Sequence, residues 1–177
     1  MADLCSLVVC GAALASRAHE LAAELVAAGW SVQVLATPAA GRWVDAAACR
    51  DVTGRDVVGL SDARAERRPL VAVVAPITFN TVAKLALGIA DTPAHSLLAE
   101  VLGARSPVVA VSTVNETLAG NPAWERNCAL LSAVGVTWVS ALDGAVGPPQ
   151  TIVSGSGDRI VADFDPVWIT KILPAHA

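Results

Sequence analysis

The segment Ala75–Asp91, APITFNTVAKLALGIAD, follows the apolar run Leu70–Ala75 and places several hydrogen-bonding side chains where a helix would begin. These side chains are two hydroxyls and one amide, from Thr78, Asn80 and Thr81. One such group is enough to cap a helix, so their number exceeds the structural need. Phe79 adds an apolar wall beside them, and a planar heterocycle with a polar edge requires that mixture. The segment therefore indicates a binding site for such a ligand.

A second candidate is the loop Cys10–Arg17, CGAALASR, which joins an apolar strand to the next helix. Its small residues Gly11, Ala12 and Ser16 would let the backbone approach a ligand, and the free N–H groups of a helix start attract phosphate. The loop contains a single glycine, so the dinucleotide-binding pattern GxGxxG is absent. A plain tight turn is therefore the alternative to an anion site.

Two further segments place polar residues after apolar runs. Thr37 lies in LATPAAGRW, where it would either contact a ligand or cap the next helix. Asn115 and Asn127 lie in STVNETLAGNPAWERN, where cap and turn roles are the default. Asn115 nevertheless falls at the carboxyl end of an apolar run, Pro107–Ser112. Ligands bind at that edge of parallel sheets, so we expect all four segments to share one rim.

The elements that would position these segments alternate along the chain. The predicted strands are Leu4–Gly11, Trp30–Pro38, Leu70–Ala75, Pro107–Thr113 and Val136–Ala141. The predicted helices are Ser16–Gly29, a weak one at Ala39–Cys49, then Asn80–Gly88, Ala94–Leu102, Asn121–Gly135 and Asp165–Leu173. An irregular stretch at Arg50–Arg68 and a loop at Asp143–Pro149 complete the pattern. This alternation predicts an α/β domain over residues 1–177, with a doubly wound parallel sheet.

Composition excludes some classes of function. Hydrophobic residues make up 54% of the chain, but the apolar runs are far shorter than the roughly 20 residues that span a bilayer. The first 15 residues lack a basic region, so we expect no signal peptide. A sheet covered on both faces, or a subunit interface, accounts for the apolar excess. The net charge is −4 and the basic residues are scattered, which is not the pattern of a nucleic-acid-binding protein.

Cysteines and histidines indicate neither disulfides nor a metal centre. Cys5, Cys10, Cys49 and Cys128 have neither CxxC nor metal-ligand spacing, so we expect free thiols in a reducing cytoplasm. His19, His95 and His176 are far apart in the sequence. We expect His19 on the solvated side of the first helix.

The segment Ala75–Asp91 resembles the PASANT region of the homo-oligomeric flavin-containing cysteine decarboxylases, a family that includes peptidyl-cysteine and phosphopantothenoylcysteine decarboxylases. The matched residues are Pro76, Asn80, Thr81, Lys84, Ala86, Gly88, Ile89 and Asp91. TVNETLAGNPAWERNCALL is similar to the PxMNxxMW segment of that family, with matches at Asn115, Pro122 and Asn127. LATPAAGRWV is similar to its Thr/Ser-Pro-x-Ala segment. These matches are collinear over about Leu4–Val139.

The resemblance implies a Rossmann-like, flavodoxin-like three-layer sandwich that binds FMN, or FAD. By this resemblance Gly11, Ala12, Ser16 and Thr37 would hold the ribityl phosphate, and Thr78, Phe79, Asn80 and Thr81 would border the flavin. Asn115 would bind the carboxylate of a small-molecule or peptide substrate. The resemblance further implies a cytoplasmic homotrimer or homododecamer with flavin at the subunit interface.

The sequence departs from the family pattern at the position of the catalytic histidine, which precedes the PASANT region. The stretch Arg55–Arg68 contains no histidine, and Asp62, beside Ser61, stands at about the corresponding distance. Asp62 would replace the histidine as a base if desolvation raised its pKa. A solvated loop carboxylate is the alternative.

Other departures affect the flavin face and the substrate segment. Thr78 and Phe79 replace a small Ser-Ala pair, while Val114 and Leu118 stand where the family has methionine. Four functions therefore remain open. The first is oxidative decarboxylation, or related redox chemistry, on a thiol or carboxylate, and the second is a flavoprotein without decarboxylase activity, such as a partner subunit of the dipicolinate synthase B type. The third is a flavin prenyltransferase, whose family usually has Lys where Asn80 stands, and the fourth is a nucleotide-binding module without flavin.

Overall fold

The computed structural model describes residues 2–65 and 69–174, so His176 and the end of the irregular stretch lie outside the described residues. One sheet contains five parallel strands in the order β2-β1-β3-β4-β5. The strands are β1 Leu4–Val9, β2 Ser31–Ala36, β3 Val71–Ile77, β4 Val108–Ser112 and β5 Val136–Ser140. The strand order reverses direction between β1 and β3, and this point is where ligands bind in doubly wound sheets.

Helices cover both faces of the sheet. They are α1 Ala18–Ala27, α2 Ala46–Thr53, α3 Phe79–Ala86, α4 Pro93–Gly103, α5 Glu116–Ala119, α6 Ala123–Ala133, α7 Gly157–Asp163 and α8 Val167–Thr170. Successive strand residues point to opposite faces, so Val71 and Val73 pack on the layer with α1, α2, α7 and α8. Ala72 and Val74 pack on the layer with α3, α4 and α6. The predicted three-layer α/β fold with a parallel sheet is therefore confirmed.

Strand β3 does not end at Pro76, where the sequence predicted it to stop. Proline has no N–H to donate, but the carbonyl of Pro76 accepts a hydrogen bond from the N–H of Cys10 at 3.1 Å. The strand therefore continues to Ile77, with a shift in its register against β4 between Val74 and Ile77. This extension carries the start of α3 to the edge of the sheet.

Five helix starts lie one or two residues from the predictions, and one lies seven residues away. Ser16, the predicted first residue of the helix that became α1, lies instead in a 3-10 segment, Ala13–Arg17, and its hydroxyl donates to the carbonyl of Ala13 at 2.9 Å. Helix α2 begins at Ala46 rather than Ala39, because the Asp45 carboxylate accepts the N–H of Ala48 and caps it. Helices α5 and α7 were not predicted.

The expected free thiols are confirmed, since Cys5, Cys10, Cys49 and Cys128 are all free and buried. Burial raises the pKa of Cys5 to about 12 and the pKa values of the other three thiols to about 11. His19 is half-buried, and its Nδ1 atom is buried without a hydrogen-bond partner among the described residues, so the prediction of a solvated side chain was wrong.

Across residues 2–65 and 69–174, no helix has the length and apolar character needed to cross a membrane.

Candidate functional site

A cleft with a volume of about 590 Å³ lies at the carboxyl edge of the sheet, where the strand order reverses. Its lining includes seven of the eight predicted cofactor-binding residues: Gly11, Ala12, Thr37, Thr78, Phe79, Asn80 and Thr81. These residues follow β1, β2 and β3, and Thr113 and Val114 after β4 join them. The structure therefore brings together, in one place, residues that follow four different strands. The eighth residue, Ser16, is not part of this lining.

The loops after β1 and β2 are in close contact at one side of the cleft. A Cβ atom at Gly11 would lie 2.6 Å from the carbonyl oxygen of Ala39, so a larger residue would push the two loops apart. Thr37 makes no side-chain cap to the turn that follows it, and its buried hydroxyl lies 3.4 Å from the carbonyl oxygen of Val9. The capping role considered for Thr37 was therefore wrong.

Helix α3 begins at the opposite side, and no side chain of the described residues caps its first turn. Thr78 occupies the N-cap position and accepts no hydrogen bond there; its hydroxyl instead lies 3.5 Å from that of Thr81. The backbone N–H groups of a first helical turn and the helix dipole both favour an anion or a carbonyl oxygen. The side chain of Asn80 is exposed, while Thr81 is buried.

Phe79 provides the apolar wall that the sequence predicted. Its ring is stacked on Trp124 of α6, with 6.0 Å between the ring centroids and an angle of 21° between the planes. The contact with Trp124, which is itself buried, holds the phenyl ring in place at the cleft.

A group of charged and polar residues behind Thr81 was missed at the sequence level. His95 on α4 is buried, with Nδ1 at 3.0 Å from the Asp91 carboxylate and Nε2 at 3.3 Å from the Thr81 hydroxyl. Lys84 donates to the other carboxylate oxygen of Asp91 at 2.7 Å. The spacing of four residues between Asp91 and His95 was the one local signal for this pair. Thr81 and His95 are 14 residues apart, and their contact depends on the packing of α4 against α3.

The surroundings of this group shift two pKa values. Burial lowers the pKa of His95, and the charge of Lys84 lowers it further, while Asp91 acts in the opposite direction. The hydrogen bond from Lys84 lowers the pKa of Asp91. His95 is therefore held in its neutral form to lower pH than an exposed histidine, beside a carboxylate that stays ionised.

Neither predicted catalytic residue lines the cleft as the described residues form it. Asp62 is exposed in a bend, so the desolvation that a base role requires is absent in the single chain. Asn115 is half-buried and caps α5, with its side-chain oxygen accepting the N–H of Leu118 at 2.9 Å. Its neighbours Val114 and Leu118 reach the cleft. Asn127 is neither a cap nor a turn residue: it lies inside α6 and is buried.

The fold and the cleft define a doubly wound α/β protein with a ligand site at the switch point of its sheet. The sequence matches the Flavoprotein family over residues 5–166, and the chain belongs to that family. The resemblance to flavin-containing cysteine decarboxylases is confirmed by this match together with the relatives below.

One curated relative is the coenzyme A biosynthesis bifunctional protein CoaBC of Bacillus subtilis (strain 168), which is 30% identical over 150 residues. That alignment covers 78% of this chain and 36% of CoaBC, so the chain spans about a third of that protein's length. Among solved structures, the FMN-dependent cysteine decarboxylase TvaF from thioviridamide biosynthesis is 25% identical with a TM-score of 0.67, covering 76% of this chain and 88% of TvaF. The FMN-dependent cysteine decarboxylase SpaF is also 25% identical, with a TM-score of 0.64 and coverage of 79% and 84%.

Proposed function

We propose that this chain is a single flavin-binding domain that holds FMN in the cleft, with FAD as the alternative cofactor. One observation carries the proposal: seven residues chosen from the sequence as flavin contacts line one cleft, although they come from three separate loops. Membership of the Flavoprotein family and the FMN dependence of TvaF and SpaF support the same cofactor.

The residues of the cleft fit such a ligand. Its volume of about 590 Å³ is within the usual range for small-molecule sites. The Thr113 hydroxyl, which belongs to the lining, is buried without a hydrogen-bond partner among the described residues. A buried unpaired hydroxyl is costly, and a polar ligand would supply the missing partner.

Roles for the lining follow from its chemistry. Gly11 and Ala12, with the uncapped first turn of α3, would hold the phosphate, because small side chains expose backbone N–H groups there. Phe79 would contact the ring system, and Asn80 would hydrogen-bond its polar edge. Bound FMN supplies two-electron redox chemistry at this position.

The reaction we propose is oxidative decarboxylation, or related redox chemistry, on a small or peptidyl thiol or carboxylate. The naming of both TvaF and SpaF as cysteine decarboxylases supports this class. Asn115, next to the lining residue Val114, would bind the substrate carboxylate. Asp62 would act as a base only where a neighbouring chain covers it, because it is exposed in the single chain.

The exposure of Asp62 favours one alternative, a flavoprotein without decarboxylase activity, such as a partner subunit of the dipicolinate synthase B type. A flavin prenyltransferase ranks lower because Asn80 occupies a position where that family usually has Lys.

Assembly as a cytoplasmic homotrimer or homododecamer is the accompanying proposal. Three large apolar side chains near the cleft are exposed: Leu87 at 66%, Ile89 at 43% and Leu118 at 48%. A neighbouring chain in such an assembly would cover these side chains.

Two measurements test the proposal. Purified protein should show the visible absorption of bound flavin, or acquire it on addition of FMN, and a folded protein that takes up neither FMN nor FAD would refute flavin binding. A peptide ending in cysteine should then lose the mass of CO2 plus two hydrogens. Flavin binding without this mass loss would instead favour the non-decarboxylating alternative.

A further inference from the structure

The buried side chain of His95 is held at its Nδ1 atom by two oxygens. Nδ1 lies 3.0 Å from the Asp91 carboxylate and 2.8 Å from the Thr92 hydroxyl. A carboxylate offers lone pairs and no proton, so the contact with Asp91 favours the tautomer with the hydrogen on Nδ1. In the neutral ring the other nitrogen, Nε2, is then an acceptor. Asp91 itself is kept ionised and in place by Lys84 at 2.7 Å.

Nε2 faces a hydroxyl that has several partners. The Thr81 oxygen lies 3.3 Å from Nε2, 3.2 Å from the thiol sulfur of Cys10 and 3.5 Å from the hydroxyl of Thr78, which donates to it. A hydroxyl has one proton to donate and two lone pairs to accept. With neutral His95, the Thr81 proton is directed to Nε2, and the lone pairs accept from Cys10 and Thr78. Thr81 then offers no donor to a ligand in the cleft.

Protonation of His95 would reverse this arrangement. Nε2 would carry a hydrogen and donate to the Thr81 oxygen. That oxygen has two lone pairs, so one of its present donors must turn away, and the longest contact, from Thr78 at 3.5 Å, is the one to give way. The proton of Thr81 would then no longer be directed to Nε2 and would be free to point elsewhere. Both Thr81 and His95 line the cleft, so an acceptor oxygen of a ligand there would receive that proton. The positive charge on the ring would favour an anionic ligand in addition.

We propose that His95 is a positioning residue that sets the direction of the Thr81 hydroxyl, so that the cleft binds an oxygen-rich, anionic ligand more tightly when His95 is protonated. The inference rests on the proposed function in one respect, because FMN is the ligand with which it is tested.

Three titratable groups face this arrangement from the surrounding elements. Asp91, in the loop before α4, favours the protonated ring, and Lys84 on α3 opposes it. Cys10, directly after β1, contacts Thr81, and burial raises its pKa to about 11, so it stays a neutral thiol across the range in which His95 titrates. The lowered pKa of His95 means that the neutral ring prevails at neutral pH and that the change comes on acidification.

The decisive experiment compares FMN binding to the wild-type protein and to His95→Gln at about pH 5 and about pH 8, which bracket the histidine range. Glutamine offers an amide oxygen to Thr81 and does not titrate. The phosphate of FMN titrates near pH 6 but does so with both proteins, so it cancels in their ratio. For each protein we divide the FMN affinity at the acidic pH by the affinity at the basic pH. We expect this ratio to be about threefold to tenfold larger for the wild type than for His95→Gln, which is the effect of one added hydrogen bond.

Three further variants separate positioning from a merely structural role. Thr81→Val, which removes the hydroxyl, should lose the same pH effect, whereas Thr81→Ser should keep it. His19→Gln is the matched control, because His19 is a half-buried histidine outside the cleft lining, and its profile should equal the wild-type one.

The possible failures are distinguishable. Equal pH profiles for the wild type and His95→Gln, with FMN bound by both, would overturn this inference and leave the proposed function intact. A wild-type protein that binds FMN at neither pH would overturn both.

Discussion

Two concave regions of the molecule differ in chemistry as well as in size. The cleft, at about 590 Å³, is lined by hydroxyl, amide and charged groups such as Thr78, Asn80 and Lys84. The second region, which we call the α6–β5 groove, is larger, at about 890 Å³, and lies between α6, β5 and residues 146–151. Its lining is mainly apolar and includes Trp124, Trp138 and several small or proline residues.

If the proposed flavin site is correct, position in the sheet is a better guide to function than cavity size. The cleft sits at the switch point, where the ends of four strands place polar groups around one space. The α6–β5 groove lies at the outer strand β5, and its Trp138 donates its ring N–H to Ser132 at 2.8 Å. Paired changes in the two regions should therefore affect ligand binding in one and stability alone in the other.

The largest effect is expected from a close backbone contact in the cleft. Gly11→Ala would place a Cβ atom 2.6 Å from the carbonyl oxygen of Ala39, so the loops must separate. We expect FMN affinity to fall at least about tenfold and the free energy of unfolding to fall by about 1–3 kcal/mol. Titration with FMN and denaturant unfolding measure the two effects.

The matched control lies in the α6–β5 groove. A Cβ atom at Gly147 would meet no atom of the described residues within 4 Å. Gly147→Ala should therefore change the free energy of unfolding by less than about 0.5 kcal/mol and leave FMN affinity unaltered. Equal losses of FMN affinity and of stability in both variants would mean that the close contact at Gly11 does not shape the ligand site.

A smaller effect is expected at the exposed amide of the cleft. Asn80→Ala removes hydrogen bonds to the ligand without disturbing the core, because the side chain is exposed. FMN affinity should fall by about threefold to tenfold for one neutral hydrogen bond, with an unchanged melting temperature. Thr137→Ala, at an exposed threonine in the α6–β5 groove, serves as the control. Unchanged FMN affinity in Asn80→Ala would remove this residue from the site.

In the α6–β5 groove, the expected loss is of stability alone. Ser132→Ala would leave the ring N–H of Trp138 without its present partner, at a cost of about 0.5–1.5 kcal/mol in the free energy of unfolding. FMN affinity measured on the same variant should equal that of the wild type. A change in FMN affinity would show that the two regions are coupled.

The smallest effect concerns the pH dependence of stability without ligand. Because burial lowers the pKa of His95 in the folded state, the unfolded chain takes up a proton first as pH falls. The stability from neutral His95 is present above its unfolded pKa of about 6.5 and is lost as pH falls through the lower folded value. Denaturant unfolding at several pH values should show this loss in the wild type and a smaller loss in His95→Gln. An identical loss of stability in both proteins would mean that titratable groups other than His95 cause it.

Much of the site could be predicted from the sequence because its signals are local. Buried strands are continuous apolar runs, and polar residues such as Thr78 and Asn80 follow them directly. Parallel strands end at one edge, so these residues had to share a rim once the alternating pattern was recognised. Family motifs in collinear order then indicated the flavin.

Contacts between distant segments required the tertiary structure. Cys10 meets Thr81 across 71 residues because β1 pairs with β3, and His95 meets Thr81 because α4 packs beside α3. The strand extension past Pro76 likewise depends on a hydrogen bond from Cys10, the residue directly after β1. The sequence by itself determined the elements and the polar ends of the strands, since periodicity and capping act within a few residues. The order of the strands and the packing of the helices decided which of those groups face one another, and so decided the surroundings of His95.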